Sequence, residues 1–320
     1  MIKIGIVGGT GFTAGELLRL LAYHPHADVE WVYSRTNAGK HLSEVHSDLE
    51  DDFDLHFTAD LNWNIDLVYL CMPHGTVAEF LAKYAPDSSV KIIDLSNEFR
   101  LENKENYVYG LPELNRSSIL KAAKIANPGC FASCIQFGLL PLAHAQKLNS
   151  PIHITAITGS TGAGKSLSPT THFTWRTGNL SVYKSFKHQH LAEIIRSLNS
   201  LQSGFDQEIN FVPMRGNFQR GILASIYFDT DLSQEEALTF YKDYYESHPF
   251  IYVSDQPVDM KQVVNTNRSK LSVNVIDGKI HIVSTIDNLL KGASGQAVQN
   301  MNLMFGLEEK TGLNLKSIAY

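Results

Sequence analysis

The stretch Lys3-Ile4-Gly5-Ile6-Val7-Gly8-Gly9-Thr10-Gly11-Phe12-Thr13-Ala14-Gly15-Glu16-Leu17-Leu18 decides the fold. Residues 3–7 read as a short buried parallel strand, and Glu16 onward reads as a helix. Between them, Gly9-x-Gly11-x-x-Ala14 fits the dinucleotide-binding fingerprint in the strand–turn–helix setting that it requires. Glycines permit a tight turn and let the backbone approach a diphosphate, whose charge then sits at the helix N-terminus. Gly8, Thr10, Gly11, Phe12 and Thr13 are therefore candidate cofactor-binding residues. The plainer alternative is a tight turn with no ligand.

Working outward, residues 29–33 form a second strand candidate that ends in Ser34-Arg35-Thr36, with Lys40 close behind. An NAD site usually offers an acidic residue here for the ribose hydroxyls. A hydroxyl and a guanidinium suit a 2′-phosphate instead, so Ser34 and Arg35 point to NADP. Further strands fall at residues 66–71, stopped by Met72-Pro73-His74-Gly75, and 91–95, stopped by Ser96-Asn97-Glu98-Phe99-Arg100; residues 77–84 between them have helical spacing. Alternating strands and helices predict an α/β, Rossmann-type, doubly wound parallel sheet. Ligands of such sheets lie at the carboxyl ends of strands, where Ser34, Pro73 and Arg100 fall. Cys71 lies in an apolar strand and reads as core.

The 320 residues are 43% hydrophobic and 19% charged, ordinary for a folded protein and long for one hydrophobic core, so two domains are expected. A net charge of -6 without a run of one sign argues against a nucleic-acid surface. Cys71, Cys130 and Cys134 are too few for a disulfide framework and suit a reducing cytosol. The N-terminus runs into a strand without a signal-peptide pattern, and no apolar stretch reaches the roughly 20 residues that cross a bilayer. A cytoplasmic protein with no membrane partner is expected.

Asn127-Pro128-Gly129-Cys130 precedes residues 131–140, which look helical. Cys130 thus sits at a helix N-terminus, where the macrodipole and unpaired N–H groups favour a thiolate and stabilise an oxyanion. Cys134, one turn on, reads as core. A base is needed, and His188-Gln189-His190-Leu191-Ala192-Glu193 is the densest titratable set in the second half. Glu193 is placed one helical turn from His190, able to orient its imidazole. A zinc site lacks a further strong ligand, so no metal is expected. Gly159-Ser160-Thr161-Gly162-Ala163-Gly164-Lys165-Ser166 matches a P-loop letter for letter. Ser168-Pro169-Thr170-Thr171 follows where a helix should begin, which disfavours a nucleotidase and leaves the loop for another phosphate or a nicotinamide.

Together these segments resemble the N-acetyl-γ-glutamyl-phosphate reductases of the aspartate-semialdehyde dehydrogenase superfamily. The likeness is carried by the first glycine turn, Tyr109-Gly110-Leu111-Pro112-Glu113-Leu114, Asn127-Pro128-Gly129-Cys130-Phe131-Ala132 and the 159–164 loop. It continues in His188-x-His190-x-x-Glu193, Arg215-Gly216 and Asn288-Leu289-x-Lys291-Gly292-Ala293-Ser294-Gly295-Gln296. It implies NADPH-dependent reduction of an acyl phosphate through a thioester on Cys130, in arginine biosynthesis. His188 would be the catalytic histidine and His190 the second candidate. Ser160, Gly162 and Asn288 would approach the nicotinamide, and Arg100, Asn127 and Arg215 the substrate. It also implies a discontinuous NADP-binding domain, 1–129 and 289–320, and an α+β catalytic and dimerisation domain with a mixed sheet, 130–288, in a homodimer or homotetramer. Aspartate-semialdehyde dehydrogenase chemistry on a shorter acyl phosphate is the nearest rival.

Overall fold

A computed structural model of the chain describes residues 1–101 and 106–318, and divides it into two units, Met1–Pro128 with Ala293–Asn314, and Gly129–Gly292 with Leu315–Tyr320. Against the expected spans, residues 129, 289–292 and 315–318 fall in the second unit; 319–320 lie outside the described residues.

The first unit runs β1 (Ile2–Val7), α1 (Phe12–Leu21), β2 (Ala27–Tyr33), β3 (Phe57–Thr58), β4 (Leu67–Leu70), α2 (Val77–Lys83), β5 (Lys91–Asp94), β6 (Val108–Tyr109), α3 (Pro112–Ile119) and β7 (Lys124–Ala126). All these strands pair in parallel, in the order β3-β2-β1-β4-β5-β7-β6. Every residue of β4 is buried, which is why the segment is apolar without alternation. The strand order turns back between β1 and β4, the switch point at which such sheets open a crevice.

The second unit begins with α4 (Cys130–His144), β8 (Ile152–Thr158), α5 (Phe173–Arg176), β9 (Ser181–Val182), α6 (His190–Leu201), β10 (Ile209–Arg215) and β11 (Ile222–Asp229). It continues with α7 (Gln234–Tyr245), β12 (Ile251–Val253), β13 (Ser269–Ile276) and β14 (Lys279–Ile286). Its mixed sheet is ordered β12-β13-β14-β11-β8-β10-β9. The tight β13–β14 turn places Asp277 and Gly278 at φ 48° and 74°, the left-handed geometry that Asp-Gly accepts in a hairpin. Residues 131–143 of α4 are all buried, so this helix is apolar on every side and forms the centre of the unit. It packs against α6, α7 and the sheet, while β11 alternates buried and more exposed residues. The chain then makes a π turn over Leu290–Ser294 and enters α8 (Gly295–Met304), part of the first unit.

Ser233 caps α7, accepting the Glu236 N–H while Glu236 accepts from Ser233. Ser233→Ala is expected to destabilise the protein by about 1 kcal/mol in chemical denaturation while leaving turnover unchanged.

Candidate active site

The first glycine turn is built by exclusion. Gly8 has φ +80°, and a Cβ there would stand 2.6 Å from the Cys71 carbonyl oxygen, so backbone shape and neighbour both demand glycine. A Cβ on Gly9 would stand 2.1 Å from Val32 Cγ1. Gly11 differs. Its added Cβ would meet only the Gly8 oxygen at 4.0 Å, so the space before α1 is open. Gly11 is the N-cap of α1, no side chain caps that end, and its first turn carries no acidic residue. A helix end left positive beside open space fits the diphosphate of a dinucleotide. Thr10 and Thr13 are partly buried there, and Phe12 is exposed.

At the neighbouring strand ends, Ser34 is the N-cap of a short 3-10 turn, Arg35–Asn37, and its hydroxyl accepts from Asn37. Arg35 and Pro73 are exposed. Glu98 caps α2, taking the Val77 and Ala78 N–H groups at 2.6 and 3.3 Å, so that helix end is already neutralised. Arg100 is buried and donates to the Leu95 carbonyl at 3.0 Å. Asn127 is 1% exposed; its amide donates to the Ala293 carbonyl and accepts from Asn300. Both ends of this side chain, a substrate-binding candidate, thus bond to protein groups. Cys71 follows β4, and burial pushes its thiol up to about 12, which removes it as a nucleophile.

In the second unit Cys130 is the first residue of α4, after the N-cap Gly129, and it is half-buried. Glu193, on the first turn of α6, reaches across and accepts the Gly129 N–H at 3.0 Å. The backbone leading into the nucleophile is thus held by a carboxylate that the sequence suggested only as a partner for histidine. Gly292 holds the other flank, where an added Cβ would stand 2.9 Å from Cys130 Cβ. Cys134, by contrast, points at Ser284, and burial pushes it up to about 12.

His188, His190 and Glu193 converge. The two imidazole centroids are 4.6 Å apart, and His190 Nε2 lies 3.8 Å from Glu193 Oε1. His188 sits edge-to-face with Phe131, Phe211 and Tyr183, while its Nδ1 accepts the His190 N–H. Burial, then the Lys184 charge, lowers its pKa to about 4, against an upward pull from Glu193. The ring is neutral at physiological pH.

Arg215 ends β10 with its guanidinium 4.7 Å above the Tyr183 ring. Arg176, buried on α5, donates to the Arg215 carbonyl at 2.8 Å. Burial pushes the Tyr183 phenol up to about 12, with Cys130 adding to the rise. Neither Arg176, on the one-turn helix α5, nor Tyr183, just after β9, carries a readable signal in the sequence, because each gains its neighbours only through folding. The 159–164 segment is a 3-10 turn, Ser160–Ala163, and Lys165 enters no helix, which removes the nucleotidase reading. Its Gly159 N–H bonds the Gly221 carbonyl, and a Cβ on Gly159 would meet the Gln219 oxygen at 2.3 Å. Ser160 donates its N–H to Phe218, Gly162 is exposed, and Asn288 binds both the Gly221 N–H and Thr161 Oγ1. Among the described residues no group of three or more potential ligands is arranged for a metal.

Two outcomes follow from this geometry. The depressed His188 pKa means that the unfolded chain binds the extra proton, so His188 costs stability as pH falls from 6.5 towards about 4. His188→Asn should flatten that part of the stability–pH curve in thermal unfolding. Gly292→Ala should displace Cys130 and lower kcat by on the order of tenfold to a hundredfold, measured with the rate of Cys130 alkylation.

The chain matches the semialdehyde dehydrogenase NAD binding domain over residues 3–122 and the semialdehyde dehydrogenase dimerisation domain over residues 130–288. It is 53% identical to the N-acetyl-gamma-glutamyl-phosphate reductase of Parabacteroides distasonis, covering 100% of both chains. It is also 53% identical to that of Flavobacterium johnsoniae, over 99% of both. Its fold is similar to aspartate semialdehyde dehydrogenase II of Vibrio cholerae in complex with ASA, at a TM-score of 0.74 and 17% identity over 96% of this chain and 98% of that one. The Candida albicans aspartate semialdehyde dehydrogenase with NADP gives 0.71 at 14% identity, over 95% and 98% of the two chains. The cysteine-led helix, the two imidazoles and the glycine turn therefore stand in a member of the N-acetyl-gamma-glutamyl-phosphate reductase family, an oxidoreductase family of the semialdehyde dehydrogenase fold.

Proposed function

We propose that the chain reduces an N-acyl-γ-glutamyl phosphate to N-acyl-glutamate 5-semialdehyde and phosphate, using NADPH, as a step of arginine biosynthesis in the cytoplasm. The observation that carries the reading is Cys130 as first residue of α4, with Glu193 bonded to the preceding N–H and a histidine pair packed on Phe131. The exposed Arg35 beside Ser34, in place of an acidic residue, supports NADP over NAD. The match to a dimerisation domain supports a homodimer or homotetramer.

Cys130 Sγ attacks the acyl carbon, the bond to the phosphate oxygen breaks, and phosphate leaves as the thioester forms. The thiol proton passes to an imidazole. His190 is the better candidate, because Glu193 at 3.8 Å compensates the charge it gains, whereas burial disfavours charge on His188. When bound, the reduced nicotinamide supplies a hydride to the thioester carbonyl carbon. The oxygen that becomes negative is stabilised by the N–H groups at the start of α4. His190 protonates it, and the carbon–sulfur bond of the resulting thiohemiacetal then breaks. The hydroxyl proton returns to His190 as the aldehyde forms, and the sulfur is restored as a thiolate. Arg215, stacked on Tyr183, is the candidate for binding a negative group of the substrate.

Run in reverse with N-acetyl-glutamate 5-semialdehyde, phosphate and NADP⁺, the protein should generate absorbance of reduced nicotinamide. Cys130→Ser should lose about a thousandfold or more of that rate, and intact-mass analysis should detect an acyl adduct only with Cys130 present. Retention of most turnover by Cys130→Ser would refute covalent catalysis.

A further inference from the structure

The loop between β2 and β3 places His46 against the glycine turn of the first unit. Its Nε2 lies 2.7 Å from the Gly9 carbonyl oxygen. A carbonyl can only accept, so Nε2 carries the proton and donates. The ring is also wedged in place. On one side an added Cβ at Gly15 of α1 would stand 2.8 Å from His46 Nδ1, and on the other the ring tilts over Phe57 at 6.5 Å between centroids. Gly15 therefore serves the imidazole rather than the ligand, since α1 can approach the ring only where a side chain is missing.

The consequence lies in the peptide plane. In a trans peptide the C=O of one residue and the N–H of the next point in opposite directions. Fixing the Gly9 carbonyl towards His46 turns the Thr10 N–H the opposite way. The same anchor restrains the turn just before Gly11 and the uncapped N-terminus of α1. Glycine-rich backbone has many accessible conformations, and ordering it during binding would cost affinity.

We propose that His46 is a positioning residue for the dinucleotide turn, bonding the Gly9 carbonyl so that the turn is already shaped for a diphosphate before the cofactor arrives. The inference rests on the nicotinamide reading given above. It adds a residue that lies outside the glycine fingerprint, 37 positions from its partner in sequence.

The test is NADPH binding to the full chain, read as quenching of protein fluorescence and as the ligand-induced rise in Tm, neither of which requires turnover. His46→Leu keeps bulk between α1 and Phe57 but removes the donor, and should raise the Kd for NADPH about tenfold. His46→Gln, whose amide can donate to Gly9, should recover most of the affinity. Gly15→Ala, which pushes the ring away, should weaken binding similarly and serves as the second variant should His46→Leu not fold. Alkylation of Cys130 by iodoacetamide without cofactor should match the unaltered protein in all three. NADPH binding by His46→Leu or Gly15→Ala within twofold of the unaltered protein would overturn the inference while leaving the cofactor reading intact. Failure of the unaltered protein to bind NADPH would overturn the cofactor reading and this inference with it.

Discussion

A buried carboxylate bonded to one backbone N–H organises the second unit. Glu193 is 2% exposed and accepts from Gly129, the residue that caps the helix bearing Cys130. The first N–H groups of a helix have no partner within it, and a buried carboxylate without donors is expensive, so each need meets the other. The bond also ties α6 to the start of α4, bringing His188 and His190 onto the ring of Phe131. Cys130, the backbone before it and the two imidazoles are thereby linked through one contact between α4 and α6. Gly292 completes the arrangement by leaving Cys130 the space that a side chain would take.

The glycines show how one residue type serves opposite ends. Gly8 and Gly9 are small because protein atoms crowd them, Gly11 because the space before it stays open, and Gly15 because His46 leans on its helix. In the 159–164 loop, Gly159 lets the backbone lie against residues 219–220, and residues 159–161 form hydrogen bonds to residues 218–221. The same letters that cradle phosphate in a P-loop here close a loop onto its neighbour. The helix that would supply the lysine's setting is missing, as the Ser168-Pro169 pair foretold.

Two buried amides carry structural bonds that the sequence does not show. The family resemblance implies that Asn288 approaches the nicotinamide and Asn127 the substrate. In the structure both are nearly inaccessible, and both ends of each side chain bond to protein groups. Such roles are invisible in one dimension, since their partners lie up to 173 positions away. Arg176 and Tyr183 are the converse case. Nothing local distinguishes them, and only the pairing of β9 with β10 sets them beside Arg215.

Local physics made the parallel sheet, the first glycine turn, the Asp277-Gly278 hairpin, the α7 cap and the placement of Cys130 at a helix start legible from residue order alone. Each depends on neighbours within a few positions: periodic burial, a positive φ, or an end-of-helix N–H. The convergence of His188, His190 and Glu193, the bond from Glu193 to Gly129, the bond of His46 to Gly9 and the space that Gly292 leaves for Cys130 belong to the folded chain. Burial and distance set those properties, and both exist only once segments remote in sequence have packed together.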